Sequence, residues 1–114
     1  MAAYTKVPSE YMASWAEDGT TITVPIASFD NTDSGSALLT ELTAADADGA
    51  EGDIAEILMK LLNQVYTVYE DNTAPTKWRL SRSVRTSGAT GTVSFSLSFN
   101  VTTSGLTAVV QDET

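Results

Sequence analysis

Between Asp53 and Tyr69, in DIAEILMKLLNQVYTVY, apolar residues recur at positions i, i+3, i+4, i+7 and i+8. Ile54, Ile57, Leu58, Leu61, Leu62, Val65 and Val68 or Tyr69 fall on one side of a helix. Glu56, Lys60, Asn63, Gln64 and Thr67 fall on the other. The spacing predicts one long helix over 53–69, about 25 Å long at ~1.5 Å per residue, with its apolar side under a sheet. Glu51 and Asp53 stand where the helix dipole favours negative charge. Glu56 and Lys60 are four apart in the favourable order. The run Glu70-Asp71-Asn72-Thr73-Ala74-Pro75 is polar, ends in proline, and marks the stop.

After Pro75 the period changes from 3.6 to two. Trp78, Leu80, Arg82 and Val84 share one face of a strand, and Val93, Phe95, Leu97, Phe99 and Val101 share one face of the next. The linker 86–91 is rich in turn-formers, so 76–102 reads as a long hairpin. Pairing Arg85 with Thr92 sets Val84 opposite Val93, Arg82 opposite Phe95, Leu80 opposite Leu97 and Trp78 opposite Phe99. Only Arg82 then interrupts an apolar face. At ~3.3 Å per residue the arms reach roughly 36 Å, longer than the helix. A hairpin that overhangs its core is marginal alone and gains from a neighbour.

Upstream, 1–8 reads as an arm and 11–26 as a first hairpin. Tyr11, Ala13 and Trp15 share a face, Asp18-Gly19 makes the turn, and Ile22, Val24 and Ile26 share a face of the return strand. Pro25 places that strand's end at a sheet edge. A competing reading makes 9–15 a short helix capped by Ser9. Residues 28–42 read as a loop that contains SFDNTDSGSA. Thr43 is a candidate N-cap for a short helical turn that Gly49 and Gly52 interrupt. A last strand is expected over 106–110, and the polar tail is expected to fray. The expected class is α+β: an antiparallel sheet of about four to five strands, from two hairpins, packed on one long helix in a single domain of 1–114.

Charge sharpens this picture. The formal net charge is −9 over 114 residues. Residues 1–76 hold thirteen acids and two bases, whereas 77–85, KWRLSRSVR, hold four of the six bases and no acid. An acidic body repels a phosphate backbone, so no nucleic-acid partner is expected. Lys77, Arg79 and Arg85 face outward with Ser81 and Ser83, and Arg82 sits among apolar neighbours with Trp78 on the same face. These five residues, Lys77, Trp78, Arg79, Arg82 and Arg85, form a candidate interface toward an acidic protein surface, including another copy of this chain. The same basic residues also suit a solvated sheet face, where they deter edge aggregation. Arg82 beside Phe95 and Leu80 must extend to solvent or meet a carboxylate.

Chemistry is scarce. There is no cysteine and no histidine, which removes disulfides, thiol catalysis, a Ser-His-Asp triad and the commonest transition-metal ligand. Asp46, Asp48, Glu51 and Asp53 crowd one loop with Gly49 and Gly52. Against a calcium-loop pattern, however, Ala50 and Ile57 stand where acidic ligands belong and Glu51 stands where the glycine belongs. A solvated acidic loop accounts for them, and neither a metal nor a cofactor is expected. Asn100-Val101-Thr102 matches a glycosylation sequon inside a strand and is taken as chance. No phosphate-cradling glycine loop and no paired carboxylates in an apolar setting occur, so no enzyme is expected. The start lacks the apolar core of a signal peptide, and no run approaches the ~20 apolar residues of a membrane span.

The order Leu42-Thr43-Ala44-Ala45-Asp46-Ala47-Asp48, then Gly52-Asp53-Ile54, then Pro75-Thr76-Lys77-Trp78 resembles short acidic proteins encoded among tailed-phage and prophage virion genes. The resemblance spans most of the chain from Asp18 onward and rests on a loop, a helix and a hairpin. It implies a multi-copy virion component, such as a capsid cement or decoration protein, that binds by side chains and strand edges and does no chemistry. It carries over no site residues. The expected partners are further copies of the chain and a capsid or other virion protein, with no nucleic acid and no membrane. The expected location is the virion, or otherwise the cytoplasm. A second reading is a monomeric binding module for a small ligand or carbohydrate that uses Trp15, Tyr66 and Trp78.

Overall fold

The computed structural model describes residues 3–31 and 40–104. The chain divides into two compact units, 1–73 and 74–114. It is α+β, with one long helix and two separate antiparallel two-stranded sheets. The single sheet of four to five strands expected from the alternation does not form among the described residues. The expected strand over 106–110, and the 32–39 part of the expected loop, lie outside them.

The first unit opens with α1 (Pro8–Tyr11), whose first residue is a proline that needs no N–H there. A helical turn thus replaces the strand expected from Tyr11 to Trp15, and Val7 rather than Ser9 is its cap residue. The chain then passes through Ser14 at φ 62°, a left-handed conformation that no strand continues through. Strands β1 (Ala16–Glu17) and β2 (Ile22–Thr23) pair around the Asp18-Gly19 turn, with Glu17 opposite Ile22. Gly19 has φ 90° there. The Asp18 carboxylate accepts the N–H groups of Thr20 and Thr21 and the Thr21 hydroxyl at 2.9, 2.7 and 3.0 Å. The return strand is short because Pro25 caps a 3₁₀ turn, Ile26–Ser28. Ile22 and Ile26 are therefore exposed, and only Val24 of the three packs inward.

A short helix, α2 (Ala44–Ala47), begins at Thr43, whose hydroxyl accepts the Asp46 N–H at 3.1 Å. Asp53 caps α3 (Ile54–Glu70) by accepting the Ala55 N–H at 2.9 Å. Gly52 lies between them because a Cβ there would strike the carbonyl oxygens of Asp46 and Asp48. Met12, Phe29 and Leu42 are buried together, and Tyr11, Trp15, Val24, Ala47, Ile57 and Leu61 pack around them.

The helix presents the unexpected side to this unit. Lys60 and Asn63 are its buried residues, whereas Ile54 and Leu58, assigned to the covered face by the periodicity, are exposed. The reason is hydrogen bonding. The fully buried Asn63 side chain donates to the Asn31 side-chain amide oxygen at 2.8 Å. Asn31, held at φ 53°, donates in turn to the Phe29 and Thr40 carbonyls at 3.3 and 3.4 Å. Gln64 accepts the Asn31 N–H at 3.0 Å and donates to the Tyr11 carbonyl at 3.1 Å. Lys60 donates to the Glu41 carbonyl at 3.3 Å and pairs with Glu56 at 3.1 Å and Asp46 at 3.8 Å. Irregular segments have no ladder to satisfy their carbonyls, and the polar side of α3 supplies the donors.

The second unit is the hairpin of β3 (Trp78–Ser87) and β4 (Thr90–Phe99). The register is the one expected: Arg85 faces Thr92, Val84 Val93, Arg82 Phe95, Leu80 Leu97 and Trp78 Phe99. Pairing runs further toward the tip than expected, to Ser87 and Thr90, which leaves Gly88-Ala89 as a two-residue loop. Gly88 has φ 62°, and positive φ at the first central position is what a type II′ turn asks of glycine. Asn100 closes the base, its N–H and side-chain amide donating to the Lys77 and Thr76 carbonyls, each at 2.7 Å. The sequon asparagine thus serves as a structural clamp.

Asn63→Ala leaves the Asn31 oxygen buried without its donor, a loss of about 1–3 kcal/mol. Urea denaturation will register this as a lower midpoint at unchanged slope. A midpoint equal to the parent's would show that the amide network does not hold α3.

Candidate functional site

The five residues of the candidate interface gather on one element. Trp78, Arg79, Arg82 and Arg85 lie on β3, and Lys77 immediately precedes it. Strand alternation divides them between two faces. Arg79 and Arg85 are exposed on the side that carries Ser81 and Ser83. Their cross-strand partners are Ser98 and Thr92, and those of the serines are Ser96 and Ser94. Lys77, next to the base clamp, is also exposed. This face is therefore cationic and rich in hydroxyls, with no carboxylate.

The other face is apolar and uneven. Leu80 is buried, and Trp78, Arg82, Val93 and Phe95 are half-buried. Val84, Leu97 and Phe99 are exposed at 57, 43 and 59%. Arg82 stands opposite Phe95 in the middle of this face. Among the described residues β3 and β4 pair only with each other, so each presents an outer edge of backbone groups.

The acidic loop is built differently from a cation site. One Asp48 carboxylate oxygen accepts the N–H groups of Ala50 and Glu51, each at 2.8 Å. Asp46 is turned toward Lys60, and Asp53 is the helix cap. No cluster of three or more potential ligands is present among the described residues. The carboxylates organise the turn into α3. Calcium is therefore expected to leave the melting temperature unchanged; a clear rise on adding calcium would assign the loop to the metal.

Hydrogen bonding also sets the acid response of two aspartates. The N–H groups of Ala50 and Glu51 hold the Asp48 carboxyl below its ordinary 3.8. The Thr21 N–H, then that of Thr20 and the Thr21 hydroxyl, do the same for Asp18. A carboxyl more acidic in the folded chain stabilises the fold above the unfolded value, and the stabilisation is lost as pH falls through the folded one. In a carboxyl-detected NMR titration, Asp18 and Asp48 will protonate below pH 3.8, and Asp48→Asn will remove its part of the acid-induced loss of stability. Protonation of both at 3.8 or above would remove this account of the turns.

The aromatic residues of the second reading are distributed. Trp15 is half-buried against the Met12–Phe29–Leu42 cluster, Tyr66 is half-buried on α3, and Trp78 belongs to the hairpin unit. Periodicity missed Ile54 and Leu58, exposed at 66 and 51%, as surface residues. The only sequence signal for this was the run of hydrogen-bonding side chains Lys60, Asn63, Gln64 and Thr67 on the opposite side, which also fits an ordinary solvated face. No helix among the described residues is long and apolar enough to cross a membrane. Comparison with protein-family models, curated proteins and solved structures returns no match.

Proposed function

We propose that this chain is a non-enzymatic, multi-copy structural protein that joins an assembly through its long hairpin, as a cement or decoration component of a tailed-phage capsid. The observation that carries the reading is the hairpin. It is ten residues long on each arm, open along both edges among the described residues, and apolar on one face. With Lys77 immediately before β3, it concentrates four of the chain's six basic residues and contains no acid. An isolated two-stranded hairpin is marginal in water, and an open apolar face with open edges is stabilised when another chain covers it. The virion setting is supported by the resemblance of the loop, helix and hairpin order to phage structural proteins, and by the scarcity of catalytic side chains. The partners are further copies of the chain and a capsid or other virion protein. The acidic balance of the remainder disfavours nucleic acid.

Solution mass by light scattering, across protein concentration and salt, tests this reading. A discrete oligomer is expected. It will weaken as the screening length falls from about 10 Å at 0.1 M salt to about 3 Å at 1 M. Arg79→Glu and Arg82→Ala are each expected to weaken assembly about tenfold, or about 1.4 kcal/mol, with the circular dichroism of the folded chain retained. A strict monomer throughout the range would overturn self-assembly. Unchanged assembly by both variants would remove the hairpin's basic residues from the interface.

A further inference from the structure

The hydroxyl-rich face of the hairpin is cationic, and its own unit holds nothing to neutralise it. Lys77, Arg79 and Arg85 are exposed, and residues 74–104 contain no acid. Ser81 and Ser83, with their cross-strand partners Ser96 and Ser94, lie between the two arginines. No apolar side chain interrupts this face, because Val84, Leu97 and Phe99 belong to the other one. Lys77, Arg79 and Arg85 form no ion pair among the described residues, whereas Lys60 forms two. The first unit is the opposite kind of surface. Residues 1–76 hold thirteen acids against two bases, and one of those bases, Lys60, is buried between Glu56 and Asp46. Glu17, Asp18, Asp48, Glu51 and Glu70 are exposed and likewise outside any ion pair.

We infer that this cationic face of β3–β4 in one copy receives exposed carboxylates from residues 1–73 of a second copy. The inference rests on the assembly reading above and names the face and its occupant. The occupant follows from charge: one surface carries cations without a counter-charge, the other carries carboxylates without one, and every copy brings both. Each guanidinium offers a planar fork of donors that fits a carboxylate. Ser98 opposite Arg79 and Thr92 opposite Arg85 add a hydroxyl donor at each point. The two arginines are six positions apart on β3, about 20 Å at ~3.3 Å per residue. The face therefore engages two separate carboxylates. Surface ion pairs are individually weak, and a multi-copy assembly makes many of them act together. The contact is heterologous, because the two surfaces are different and both are present in every chain. Repetition therefore produces a closed ring or an open row rather than a simple two-fold dimer.

Two measurements on the full chain test this. Arg79→Glu with Arg85→Glu replaces attraction by repulsion at both points, and because both positions are exposed the folded circular dichroism is retained. Light scattering is expected to show the wild type assembled and the double variant weakened about a hundredfold, two distant tenfold effects acting independently. The second measurement identifies the occupant. Isotope-labelled and unlabelled chains are mixed in equal parts and treated with a water-soluble carbodiimide, which joins an amine to a touching carboxylate as an amide. The expected product links Lys77 of one label to an acid within 1–73 of the other label, and Lys77→Gln removes it. Four results overturn the inference. If the double variant assembles like the wild type, this face is not in the contact while self-assembly stands. If the wild type assembles but Lys77 gives no mixed-label product, a second copy's carboxylates do not occupy the face. If the chain associates only when inorganic polyphosphate is added, the face takes a phosphate polymer instead. If the wild type is monomeric throughout, both the inference and self-assembly are lost.

Discussion

The first unit depends on where its irregular segments find hydrogen-bond donors. The carbonyls of Tyr11, Phe29, Thr40 and Glu41 belong to stretches without a sheet, and each accepts a bond from a side chain: Gln64, Asn31, Asn31 and Lys60 respectively. A buried amide that keeps its partner contributes about 0.5–1.5 kcal/mol, and one that loses it costs about 1–3 kcal/mol. Asn63 has no exposed surface, and the Asn31 oxygen answers it. The polar side of α3 therefore faces the unit because the segments it covers are polar in backbone. At the border of that side, Ile57 and Leu61 reach the Met12–Phe29–Leu42 cluster.

This one cause accounts for two departures from what the pattern of residues predicts. A four- or five-stranded sheet would have satisfied its own backbone and offered α3 an apolar surface. Ser14 in the left-handed region and Pro25 at the head of a 3₁₀ turn cut the expected strands to two residues each. With the sheet gone, its covering segments needed donors and the helix presented them. The hairpin, by contrast, was legible to the residue pair. Strict alternation over two strands, with Gly88 at the tip, leaves one register that keeps the apolar side chains together. The helix was equally legible in its extent, from the Asp53 cap to the polar stop after Glu70. Its orientation was not, because the partners that decide it lie 32 and 53 residues away, at Asn31 and Tyr11. Periodicity finds the two sides of a helix, but only the distant partner says which side is covered.

Legibility of the candidate site divides in the same way. Charge segregation, thirteen acids in 1–76 against four bases in 77–85, is a property of the chain that no folding detail alters. The alternation also assigns Arg79 and Arg85 to one face and Arg82 to the other, as found. The acidic loop was legible as a cluster but not in its purpose. Asp48, Asp46 and Asp53 are engaged in a turn, an ion pair and a cap, and Gly52 approaches the Asp46 and Asp48 carbonyls closely between them. An aspartate that accepts two backbone N–H groups from its own turn is a folding device first.

The exposed strip on α3 follows from the buried network. Full burial of a leucine or isoleucine is worth about 1.5–3 kcal/mol, and this chain leaves Ile54 and Leu58 more than half exposed. Val84, Leu97 and Phe99 represent a similar unrealised gain on the hairpin. For a domain of this size, whose total stability is on the order of 5–15 kcal/mol, that exposed apolar area is a large fraction. Single exposed apolar residues need no explanation. Two grouped sets do, when one stands among carboxylates and the other on the chain's one basic segment. The polar packing of α3 thus leaves Ile54 and Leu58 on its outer side.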